Sequence, residues 1–218
     1  MGAFVGAQEF FKFPIVEVAT RLGYSQDNLL ILKGDIQSLQ RSFPETYNNI
    51  MSCRHHRDSR TPLEYAQDLV ASWLVEDSFL AVLNSDNLRA VLDGADHDRK
   101  ILANVKTSAS SDFIVSYNGK SRKLELMNDY KGHWKRTGQL DLRDSKYRSL
   151  TEERSLFLAV SITTKDFALF DFEKEINAKY IPSHYPYGGK PAYEIKITGE
   201  MMKPATSHNI TEAIKLHL

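Results

Sequence analysis

The sequence predicts a mixed α/β (α+β) fold, with a helical N-terminal half and a central mixed β-sheet flanked by helices behind it. Three observations carry that prediction. Thr61-Pro62-Leu63-Glu64 opens a segment whose apolar residues recur at helical spacing. Asn118-Gly119 lies between two alternating runs, the strongest short-range hairpin signal. Leu156 to Thr163 is a near-continuous apolar run, the pattern of a strand covered on both faces.

Taken in order, the periodicity suggests helices over 8–22 and 26–41. In the next, Thr61 is the N-cap, Pro62 the first helical residue and Glu64 the capping-box partner. Leu63, Ala66, Val70, Trp73 and Leu74 form its apolar stripe. Residues 86–93 read as a further helix capped by Ser85 or Asp86, followed by a polar connection over 95–100. From about 110 the period changes. A hairpin over 112–129 leads into a charged stretch, Lys131 to Arg154, then the buried strand at 156–163 and a second strand from Phe167 to Phe172. Tyr180 to Lys190, rich in Tyr, Pro and Gly, reads as a long loop. A last strand near Tyr193–Thr198 and a terminal helix near Asn209–His217 complete the chain. No internal repeat or linker is evident, so residues 1–218 are read as one domain: mainly helical to 106, a sheet over 107–200 and a C-terminal helix over 205–218.

Composition narrows the function classes. Hydrophobic residues make up 42% and charged residues 26%, the balance of a globular protein with a core. Twenty-eight basic and twenty-eight acidic residues cancel, so a nucleic-acid partner would have to be met by local patches. The single cysteine, Cys53, cannot form an internal disulfide, which fits a reducing, cytoplasmic setting. No apolar run reaches membrane-spanning length. No Walker loop, glycine-rich dinucleotide turn, zinc-type Cys/His spacing or serine or cysteine nucleophile motif appears.

The hairpin carries the sharpest chemical clue. If Asn118-Gly119 forms a type I′ turn, Tyr117 pairs with Lys120 and the pairing continues outward until Asp112 faces Glu125 on the same side of the sheet. Like charges directly opposite are destabilising, and hard divalent cations take oxygen ligands. Along the same face follow Met127, Asp129 and Lys131. Carboxylates that hold a divalent cation, with a lysine beside them, are the parts that phosphodiester hydrolysis requires.

On these residues the chain resembles the PD-(D/E)XK nuclease superfamily, which includes many type II restriction endonucleases. Ser111-Asp112 is similar to its first element, with Ser in place of proline. Glu125-Leu126-Met127 matches (Asp/Glu)-x-Lys in its acid but not in its base. Asp129-Tyr130-Lys131 satisfies the second element literally, in a different registration. The resemblance spans about residues 108–172, the buried strand included. It implies that Asp112, Glu125 and the Leu126 backbone carbonyl bind Mg²⁺ (or Mn²⁺), that Lys131 assists the attacking water and that Asp129 is an auxiliary acid.

Other candidates stand beside these. His55 or His56, in Cys53-Arg54-His55-His56-Arg57-Asp58, would be a metal ligand in a cap-snatching viral endonuclease, a group this chain also resembles, and Lys146 would suit that group's downstream lysine. Glu76 is placed as a helical auxiliary acid, with a plain surface charge as the competing reading. Trp134, Lys135 and Arg136, then Lys165, Tyr185, Tyr187 and Lys190, suit phosphate contacts and base stacking. Solvated loops and core packing compete with that reading at each position. The expectation is a Mg²⁺-dependent, restriction-type endonuclease of double-stranded DNA, a homodimer by analogy. Alternatives are an RNA endonuclease of the cap-snatching type, a structure-selective nuclease, a nuclease-like protein that only binds nucleic acid, and an interaction protein with no nucleic-acid role.

Overall fold

The computed structural model describes residues 14–52, 61–93, 99, 111–129 and 132–218. The chain divides into two compact units, residues 1–81 with 95–108 and residues 82–94 with 109–218.

The first unit is helical: α1 (Ile15–Arg21), α2 (Gln26–Lys33), α3 (Ile36–Ser42), α4 (Pro44–Ser52) and most of α5 (Pro62–Leu83). The single helix expected over 26–41 is two. Gly34 takes a left-handed φ of 70°, ending α2, and Asp35 caps α3 by accepting from the Ser38 amide. The capping box at the start of α5 forms as the sequence predicts. The Thr61 amide donates to Glu64 Oε2 at 2.7 Å, and the Glu64 amide donates to Thr61 Oγ1 at 3.2 Å. Leu30, Ile31, Leu39, Ile50, Ala66, Val70 and Trp73 form the core of this unit. Of the expected 8–22 helix, only α1 falls among the described residues.

The second unit holds a six-stranded sheet in the order β1-β2-β3-β5-β6-β9 and a three-stranded sheet in the order β4-β8-β7. Its strands are β1 (Arg89–Leu92), β2 (Phe113–Tyr117), β3 (Lys120–Asp129), β4 (Gln139–Arg143), β5 (Leu156–Ser161), β6 (Asp166–Asp171), β7 (Ala178–His184), β8 (Lys190–Lys196) and β9 (Lys203–Pro204). Among the described residues this unit also holds the helices α6 (His133–Thr137), α7 (Asp144–Glu152) and α8 (Ser207–Lys215). The β2–β3 hairpin has the expected register, Tyr117 opposite Lys120 and Phe113 opposite Leu124. Its turn residues Asn118 and Gly119 take φ of 50° and 79°. β3 runs parallel to β5, and β5 is buried at every residue.

Two expectations fail here. The helix expected over 86–93 is strand β1: Asp86 and Asn87 take positive φ, and the Asn84 side chain clamps both the amide and the carbonyl of Ala90. Pairing with β2 then outweighs helical propensity. The loop expected over 180–190 is mostly strand: β7 runs to His184 through a bulge, and only Tyr185–Tyr187 form a 3₁₀ turn. β4 was hidden inside the charged stretch. Leu140, Leu142 and Ile195 of the small sheet pack with Leu150 of α7 and with Phe157, Ala159, Ala168 and Phe170 of the large one. This core holds α7 against the face that carries Glu125, since Phe157 is the register partner of Glu125.

Candidate functional site

The hairpin brings Asp112 and Glu125 together. Asp112 precedes β2 by one residue, and the register places it opposite Glu125. Its Oδ2 accepts a 2.7 Å hydrogen bond from the Leu126 amide. Because a strand residue sends its N–H and C=O to the same edge, the Leu126 carbonyl also points toward Asp112. Glu125 is 8% exposed.

A lysine meets Glu125, and it comes from α7. Lys146 Nζ lies 2.7 Å from Glu125 Oε1. The other oxygen, Oε2, is buried with no hydrogen-bond partner among the described residues. Burial, first, and the Asp112 charge, second, push the Glu125 carboxyl up to about 7 against the opposing pull of Lys146. Glu153 closes α7 and adds a third carboxylate to the neighbourhood. Its Oε1 pairs with Lys123 Nζ at 2.8 Å, and its Oε2 accepts from Ser111 Oγ at 3.3 Å. Lys123 also lies 3.8 Å from Asp93, whose amide donates to the Asp112 carbonyl. Among the described residues acids therefore outnumber lysines around Asp112, a balance that favours a bound cation.

The remaining sequence candidates are distributed differently. Lys131 and His55 lie outside the described residues, as does all of 53–58. Asp129 is four residues beyond Glu125 on β3, about 13 Å along a strand. Its carboxylate accepts the Trp134 amide at 3.0 Å, which ties down the start of α6. Glu76 belongs to the first unit, where Arg99 Nη1 pairs with it at 2.7 Å. Met127 packs against the core between the sheets instead of joining the carboxylates. Trp134 is 4% exposed within that core, so the stacking role read from the sequence is withdrawn for it. Lys135, Arg136, Lys165 and Lys190 are exposed. Tyr185 is 94% exposed, whereas Tyr187 donates its hydroxyl to the Asp141 carbonyl at 2.8 Å.

Sequence reading named Lys146 only as a downstream lysine and missed Glu153. The usable signal was their spacing: seven residues apart, they fall on one side of a helix whose Tyr147 and Leu150 face the core. Compared with known proteins, the chain matches no family model, no curated protein and no solved structure.

Proposed function

We propose that this chain is a divalent-metal-dependent nuclease whose site is Asp112, Glu125 and Lys146, with Glu153 at its edge. One observation carries the reading. A buried carboxylate oxygen, Glu125 Oε2, has no hydrogen-bond partner among the described residues, and it belongs to a side chain set opposite Asp112. A buried acceptor left unpaired costs about 1–3 kcal/mol, and a hard cation shared with Asp112 removes that cost. Oxygen donors alone at this position suit Mg²⁺ or Mn²⁺, which would be held by Asp112, Glu125 and the Leu126 carbonyl. Bound there, the ion would supply Lewis-acid polarisation of a phosphate and a more acidic water.

The chain's own groups do the rest. Lys146 holds Glu125 Oε1, fixing the direction of Oε2, and its ammonium adds positive charge where a phosphate oxygen gains negative charge. It takes the place given to Lys131 by the family resemblance. Asp112 is fixed by the Leu126 amide. The finer reading is a restriction-type enzyme cutting double-stranded DNA as a homodimer. An RNA endonuclease of the cap-snatching type is the second reading, favoured by Lys146, which that layout takes from downstream.

Purified protein incubated with plasmid DNA and with single-stranded RNA, in Mg²⁺ or in EDTA, tests this. Mg²⁺-dependent DNA fragments support the first reading, and Mg²⁺-dependent RNA loss supports the second. Cleavage of neither, in Mg²⁺ or Mn²⁺, rejects both.

A further inference from the structure

A second cluster of ligand-bearing side chains lies on the small sheet, facing away from the core. Asp141 of β4 and Glu194 of β8 are direct cross-strand partners. Their neighbours Leu140, Leu142 and Ile195 point into the core, so both carboxylates occupy the opposite face. His184, the last residue of β7, reaches the same place because the bulge between Ile181 and His184 re-aims it. One ligand atom from each of Asp141, His184 and Glu194 lies within 4.8 Å of the others.

Ordinary explanations leave this arrangement incomplete. Two carboxylates directly opposite on a ladder repel. Lys179, the register partner of Glu194 on β7, is exposed and makes no ion pair among the described residues. The His184 side chain is 6% exposed, with Nε2 at 3.3 Å from Asp141 Oδ2. Its Nδ1 is buried with no hydrogen-bond partner among the described residues. An imidazole buried to that degree, with a ring nitrogen within 4.8 Å of an oxygen of each of two carboxylates, makes a ligand set.

We infer that Asp141, His184 and Glu194 bind a divalent transition-metal ion of the zinc class, at a site separate from the Asp112–Glu125 pair. Nitrogen and carboxylate donors suit zinc. Ligands about 2.0–2.2 Å from a tetrahedral ion stand about 3.4 Å apart, which the His184–Asp141 distance already matches and which Glu194 reaches by a small closure. His133 of α6 lies nearby, its Nε2 4.0 Å from Asp141 Oδ2, and water completes the coordination. The Tyr187 hydroxyl and the Gln139 amide bind the Asp141 residue from its backbone carbonyl and from Oδ1, at 2.8 and 3.2 Å, orienting it as outer partners of a ligand do. The ion ties the bulged end of β7 to β4 and β8, so its role is to hold the small sheet.

The test is Zn²⁺ titration by calorimetry into chelator-stripped full-length protein carrying Asp112→Asn and Glu125→Gln, so that ions at the nuclease site do not contribute. The expected result is one tightly bound equivalent, with a raised melting temperature. That equivalent is lost, or weakened tenfold or more, in Glu194→Gln and in His184→Gln. Glu194 is only partly buried, so its variant keeps the test decisive if His184→Gln does not fold. No bound Zn²⁺, or equal stoichiometry and affinity after Glu194→Gln, overturns the site whatever the outcome of the cleavage assays.

Discussion

Replacing Glu125 with Gln in metal-free protein should favour the fold, relative to wild type, more at alkaline pH than at acid pH. The wild-type carboxyl keeps its proton to about 7, compared with 4.5 for a free glutamate, mainly because it is buried and secondly because Asp112 lies opposite. The folded protein therefore binds more protons than the unfolded chain between those values. Stability falls as pH rises through that window and is level above it. At 1.36 kcal/mol per pH unit, the full difference is on the order of 3 kcal/mol, and roughly 2–3 kcal/mol of it falls between pH 5 and pH 8. Gln has the same shape, still accepts from Lys146 and does not ionise. Urea unfolding in EDTA, for wild type and Glu125→Gln at both pH values, isolates this quantity because costs independent of pH cancel. The variant's advantage over wild type should grow by roughly 2–3 kcal/mol from pH 5 to pH 8. An advantage that does not change with pH, or that shrinks, refutes the reasoning and makes Lys146 the dominant influence on that carboxyl.

Other substitutions test neighbouring parts of the account. Lys146→Met removes the cation bonded to Glu125 among the described residues; cleavage should fall sharply, and urea unfolding at pH 8 should show a loss of about 1–3 kcal/mol. Burial alone would raise the Asp171 carboxyl, but hydrogen bonds from Arg122, the Glu173 amide and His217 outweigh it and hold the group at about 2. The stability it contributes is present above about pH 4 and is lost as pH falls toward 2, so Asp171→Asn should flatten the acid limb of a pH–stability curve. Thr61→Ala breaks the capping box and should cost about 1 kcal/mol in chemical unfolding.

Where backbone chemistry was local, the sequence could be read directly. Asn118-Gly119 dictated its turn, and the turn dictated the register that sets Asp112 against Glu125. Thr61 and Glu64 announced the start of α5 in the same way, and the unbroken apolar run of β5 announced a strand covered on both sides. What escaped depended on tertiary partners. Arg89–Leu92 is a strand because β2 offers an edge and Asn84 a clamp, and neither is visible in a short window. β4 and β7 carry Asp, Lys, Tyr and Pro where an isolated strand would be apolar, so β4 reads as part of a charged stretch and β7 as a loop until β8 is placed between them. That oversight also hid Asp141, His184 and Glu194, which meet only after three strands pair. Lys146 was visible as a lysine but not as the partner of Glu125, because the contact joins a helix to a strand 21 positions earlier in the chain.

The rate of Mg²⁺-dependent phosphodiester cleavage by wild type and by Asp112→Asn, measured under single-turnover conditions with the fold checked by circular dichroism, bears most directly on the whole proposal. The account predicts a fall of about a hundredfold or more, with secondary structure retained. A variant that cleaves within a few-fold of wild type, or a wild type that cleaves no nucleic acid, contradicts it.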